Sequence, residues 1–168
     1  MAHYHLLTVW RIQAPLEAVY AAIHNTARWP DWWPGVMKVE ELVAGDVDGI
    51  DSVLRYVWQG QLPYRMVFEV RATRIEAQVA IDAAVEGDLE GVGRWRFAQS
   101  GAVSTVRYEW HVRSTRCWMN LVAPFARPLF IRNHARLMRQ GAEGLARLLH
   151  APLLSQENID LTAGVTRV

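Results

Sequence analysis

The chain has 168 residues, 51% apolar and 21% charged, so it is long enough to bury a core and too apolar to remain disordered. Its formal net charge of +1 gives no bulk attraction for nucleic acid or an anionic membrane, and no nucleic-acid partner is expected. One cysteine, Cys117, excludes an intramolecular disulfide and a cysteine-built metal site.

The chain opens without a basic segment followed by an apolar run, which argues against a secretory signal. No apolar stretch approaches the roughly 18 residues of a membrane span, so no integral membrane segment is expected and the cytoplasm is the default location. From Tyr4 to Ile12, Tyr4, Leu6, Trp10 and Ile12 share one face with Thr8 among them, which predicts a strand. Ala14-Pro15 ends it. Pro15 and Glu17 suit a helix start, and Leu16, Val19, Tyr20 and Ile23 continue at helical spacing to about His24. The segment Asn25 to Gly35 carries Pro30, Pro34 and Gly35, which prevent a long regular element. Its three tryptophans, Trp29, Trp32 and Trp33, are expected to pack back onto the body.

Six more strands are predicted from alternation and turn residues: Val36 to Ala44, Ser52 to Trp58, Tyr64 to Thr73, Gln78 to Val85, Leu89 to Ala98 and Val103 to Arg113. Arg116 to His150 reads as helical in two pieces. Phe130, Ile131, His134, Leu137, Met138, Gly141 and Leu145 share one face. Trp118, Leu121, Val122, Phe125 and Leu129 form a separately rotated stripe. A kink or short break is expected at Pro124 and Pro128, because each proline removes a helix hydrogen bond. Residues 151–168 are expected to be a loosely held tail after a single domain of residues 1–150. Strands in series with helices at the ends make the fold class α+β.

Several segments resemble the SRPBCC superfamily, which includes START, Bet v 1-like and polyketide cyclase/dehydrase proteins. They are Ala14 to Tyr20, Trp29 to Val36, Gly87 to Trp95, and Asn133-His134 through Met138, Gly141 and Gly144-Leu145. The resemblance covers about residues 3 to 150. It implies the helix-grip fold: a curved seven-stranded antiparallel sheet wrapped around a long C-terminal helix, with two short helices after the first strand. Members bind lipids, hormones, quinones or polyketides, and only some catalyse reactions. No catalytic set is shared across the superfamily.

The residues themselves offer little chemistry. There is no HExxH and no clustered acid–histidine pattern, so no metal site is expected. No Gly-x-Ser-x-Gly elbow is present, and Cys117 has no nearby histidine in sequence. The stretch Gly87 to Gly93 lacks the Gly-Lys-Ser/Thr ending of a phosphate loop and precedes a strand. Gly91 and Gly93 are better explained as places where the sheet bends or leaves space. Asp88 and Glu90 read as solvated carboxylates, and Arg132, Arg136, Arg139 and Arg147 as a solvated helix face.

The candidate ligand-binding residues are Tyr56, Trp58, Tyr64, Phe68, Trp95, Tyr108 and Trp110 on the inner sheet face, with His134, Leu137, Met138 and Gly141 on the helix. His134 is also the candidate catalytic residue. Its alternatives are orienting a ligand, acting as acid or base, or sitting in the core bonded to a sheet tyrosine or backbone group. No cofactor is implied. Three functions follow: binding or transport of a small hydrophobic molecule, a polyketide cyclase/dehydratase-type enzyme in the same cavity, or a protein-interaction module such as a homodimer. The last predicts no ligand-sized void.

Overall fold

The computed structural model describes residues 2–162 and 166–167; for 122–126 and 166–167 it describes the backbone alone. Strand β1 (His3–Ile12) is followed by helix α1 (Leu16–His24), a 3-10 turn at Thr26–Arg28 and the one-turn helix α2 (Trp29–Trp32). Then come β2 (Val36–Val43), β3 (Val53–Trp58), β4 (Met66–Glu76), β5 (Ala80–Gly87), β6 (Leu89–Ser100) and β7 (Val103–Ser114). Helix α3 (Cys117–Leu148), strand β8 (Leu153–Asp160) and the two-residue strand β9 (Thr166–Arg167) complete the chain. All described strands form one antiparallel sheet in the order β2-β3-β4-β5-β6-β7-β1-β8-β9.

The seven expected strands are present in the expected order, and the helix-grip architecture is the one observed. Alternation explains them: in β7, Val106, Tyr108, Trp110 and Val112 are buried, while Arg107, His111 and Arg113 face solvent. Breaks in strand register at Val36/Lys38, Glu41/Val43 and Ala72/Arg74 fall in β2 and β4 and bend the sheet. Gly91 has φ +150°, and a Cβ there would lie 2.1 Å from the His111 carbonyl oxygen. The glycine therefore lets β6 press against β7 more closely than any side chain permits.

Two expectations are corrected. Residues 153–160 are not a loose tail but a strand paired with β1, from Leu6↔Asp160 to Arg11↔Ser155. Buried Asn158 fixes it: its Oδ1 accepts from the Thr8 hydroxyl at 2.8 Å, and its Nδ2 donates to the Ala135 carbonyl of α3 at 3.3 Å. The final helix is also not two pieces, since α3 runs unbroken through Pro124 and Pro128. Pro128 itself is exposed. The side chains of Val122, Pro124 and Phe125 lie outside the described residues. No helix among the described residues is long and apolar enough to cross a membrane.

The tryptophan segment packs inward as expected, with Trp29, Trp32 and Trp33 all buried. Trp33 Nε1 donates to the Leu137 carbonyl at 2.8 Å, and Trp29 Nε1 to the Ile23 carbonyl at 3.0 Å. Two glycines on α3 make the contact possible. A Cβ at Gly141 would fall 2.5 Å from Trp33 Cε2, and one at Gly144 would fall 1.9 Å from the Trp32 carbonyl oxygen.

Candidate functional site

The space between sheet and helices is divided in two. A wide cleft of about 810 Å³ opens between the α1–α2 segment and the inner face of β2 to β7. A smaller cavity of about 90 Å³ lies beneath α3. Trp58, Phe68, Tyr108 and Trp110 line both and form the wall between them. Their rings touch in sequence: Trp58–Phe68 and Phe68–Trp110 centroids are 5.8 Å apart, and Tyr108–Trp110 are 5.5 Å apart.

The cleft exists because of a row of small residues in cross-strand register. Ala72 on β4 pairs with Ala83 on β5, which pairs with Gly93 on β6. All three line the cleft. Gly93 then pairs with Trp110 on β7, where a Cβ would meet the indole at 2.9 Å and the Tyr108 hydroxyl at 3.1 Å. The missing volume thus both floors the cleft and admits the wall. Trp29 and Trp95 close its inner side, with Trp95 stacked on Tyr108 at 4.0 Å. Tyr56 stands there too, its hydroxyl bonded to the Thr26 side chain, and burial raises its pKa. Burial likewise pushes the Tyr108 phenol well above its ordinary value, so it stays protonated.

The inner cavity differs in kind. Tyr4, Tyr64, His134, Leu137 and Met138 line it together with the shared wall. Burial pushes the Tyr64 phenol up to about 12 and the His134 imidazole down to about 4, so both are neutral at pH 7. Part of His134 reaches the surface, but its Nε2 is sealed from solvent and has no hydrogen-bond partner among the described residues. Tyr4 Oη and Trp58 Nε1 are in the same condition.

The sequence-derived candidates therefore fall into four groups. Tyr56 and Trp95 belong to the cleft; Trp58, Phe68, Tyr108 and Trp110 to the wall; Tyr64, His134, Leu137 and Met138 to the inner cavity. Gly141 lines neither, because the Trp33 ring occupies the space beside it. Sequence reasoning passed over Tyr4, Ala72 and Ala83. Tyr4 was visible as an inward position of the first strand, whereas Ala72 and Ala83 gain meaning only through register. Asp88 and Glu90 do not form an acid–base pair, since Asp88 is bound by Arg116 and Glu90 by Arg113. Among the described residues no group of three or more His, Cys, Asp or Glu side chains could hold a metal ion.

Comparison with known proteins fits this geometry. Residues 6–150 match the family described as polyketide cyclase / dehydrase and lipid transport. The chain belongs to that family. It is accordingly a ligand-binding or polyketide cyclase-type member of the SRPBCC superfamily. No curated protein matches it. Solved structures share the fold at low identity. A START superfamily protein from Mycobacterium smegmatis superposes with a TM-score of 0.69 at 16% identity, over 87% of this chain and 97% of that one. The Zhui aromatase/cyclase from Streptomyces sp. R1128 gives 0.63 at 16% identity, over 88% and 96%. The ginseng major latex-like protein 151 from Panax ginseng gives 0.66 at 11% identity, over 88% and 97%.

Proposed function

We propose that this member of the family binds and carries a small hydrophobic molecule in the wide cleft. The observation that carries the reading is the floor of Ala72, Ala83 and Gly93 beneath walls of Trp29, Trp95 and Trp110. Small residues in register across three strands leave a volume of about 810 Å³, within the range of small-molecule sites, where buried aromatic surface supplies most of the affinity. A void of this size also speaks against a module whose interior serves only to support an outer binding face.

A cyclase or dehydratase is the second reading. What favours it is a neutral imidazole at His134 and a protonated phenol at Tyr108, one behind the wall and one in it. These are the acid and base such chemistry needs. His134→Ala separates the two readings, because turnover of an extracted compound falls only if the residue takes part in the reaction.

The test of the carrier reading is native mass spectrometry of freshly purified protein with organic extraction, run on the wild type and on Ala83→Trp. The indole would fill the floor of the cleft. The expected result is a co-purifying hydrophobic compound on the wild type and its loss from the variant. Equal occupancy in the two proteins would place the ligand elsewhere, and the reading would fail.

A further inference from the structure

Helix α3 turns one line of side chains to solvent, and these line neither the cleft nor the inner cavity. At 3.6 residues per turn, Trp118, Leu121, Leu129, Arg132, Arg136, Arg139 and Arg147 fall within an arc of about 80°. All seven are exposed, with Trp118 at 42%, Leu121 at 80% and Leu129 at 51%. The opposite side of the helix carries buried Met119, Phe130, Met138 and Leu145. An unbroken helix can turn only one of its two apolar stripes to the sheet, and α3 turns the one that holds Met138 and Leu145. Trp118, Leu121 and Leu129 are left in water.

Charge on this line is one-sided. Helix α3 carries five arginines against the single Glu143, in a chain whose formal net charge is only +1. The rest of the chain is therefore net acidic, and the attraction for anions is local to the helix. Arg132, Arg136 and Arg147 have no acidic partner among the described residues.

The order along the line defines what it meets. A tryptophan with two leucines suits the boundary between headgroups and acyl chains, and arginines suit anionic headgroups. A protein interface sets an apolar centre inside a polar rim. Here the apolar residues come first and the arginines follow, which matches a medium layered into hydrocarbon and negative charge. A second copy fits poorly, because a face-to-face pair would oppose one arginine row to another with only Glu143 of each to offset them.

We propose that this outer line of α3 docks the protein on an anionic lipid surface. Trp118, Leu121 and Leu129 enter the acyl boundary, and Arg132, Arg136, Arg139 and Arg147 lie on the phosphates. The surface stands on α3 alone; only its use in exchanging a cargo with the membrane rests on the carrier reading.

The test is flotation of the purified protein with phosphatidylcholine vesicles and with vesicles in which about one-third of the lipid is phosphatidylglycerol, in low salt and in about 0.5 M salt. The expected result is binding to the anionic vesicles at least about tenfold tighter than to the neutral ones, weakened by salt. The double variant Arg132→Gln, Arg136→Gln loses most of that preference. Leu121→Ser weakens binding several-fold and keeps the preference. Brominated lipid in the anionic vesicles quenches the fluorescence of the wild type more than that of Trp118→Phe. All four positions are exposed, so thermal unfolding should be unchanged, which separates a lost contact from a lost fold. No binding to either vesicle, equal binding to both, or anionic binding that the variants leave intact would overturn the proposal. A wild type that floats with neither vesicle but sediments as a dimer, dissolved by the double variant, would assign the face to a second copy and overturn it too. Flotation of a protein that carries no extracted compound would sink the carrier reading alone. An extracted compound without flotation would sink the docking surface alone.

Discussion

The cleft and the inner cavity share four aromatic side chains, yet they are made by opposite means. The cleft is space created by absence: Ala72, Ala83 and Gly93 stand in a row where larger residues would fill the interior. The inner cavity is lined mainly by large side chains, among them Tyr4, Trp58 and His134, each of which has a buried polar atom without a hydrogen-bond partner among the described residues. On the carrier reading, the first arrangement selects by size and apolar surface. The larger space is thus floored by small side chains and the smaller one bounded by large ones.

The strongest way to break this distinction is to remove the wall. Phe68→Ala should merge the two spaces and cost about 3–5 kcal/mol in urea unfolding, the usual loss for deleting a buried phenyl ring. A loss below about 1 kcal/mol would mean that the surroundings collapse into the gap and that the wall is not a separate structural unit.

A second prediction isolates the inner cavity. Burial lowers the His134 pKa from 6.5 to about 4 in the folded protein. As pH falls, the unfolded chain takes up this proton first. The contribution is thus fully present above pH 6.5 and is lost as pH falls towards 4, by up to roughly 3 kcal/mol. Urea unfolding of the wild type and His134→Gln across that range should show the extra slope in the wild type alone. Parallel curves would mean that water reaches the ring.

A third prediction concerns the packing of α3 behind the cleft wall residue Trp29. Gly141→Ala puts a methyl group against the Trp33 indole and should lower stability by about 1–3 kcal/mol in thermal unfolding. Because Trp33 lies against Trp29, at a ring separation of 5.0 Å, ligand affinity in the cleft should weaken as well.

Seven strands, the first helix and the inward aromatic faces were legible because alternation and helical spacing are local properties of sequence. What escaped was non-local. Leu153–Asp160 shows no clear apolar alternation; besides backbone bonds to β1 it is held by buried Asn158, by Leu153 against the core and by the Arg127–Asp160 ion pair. Pro124 and Pro128 looked like a break, but neither interrupts α3. The small-residue row depends on register across three strands, which no single segment reveals. Gly141 was read as open space and is covered by Trp33, a residue over 100 positions away. His134 was correctly placed on the inner face of the last helix, but its lack of a partner could be seen only once its neighbours were in place.

The last long strand has a further consequence, for solubility. The family match stops at residue 150, before β8 begins. A protein shortened to that region would leave β1 as an open sheet edge, with the Thr8 hydroxyl stripped of Asn158. Bare edges of this kind recruit strands from other molecules. The octet Leu153–Asp160, mostly polar and only partly buried, acts as a hem that covers the β1 edge of the sheet.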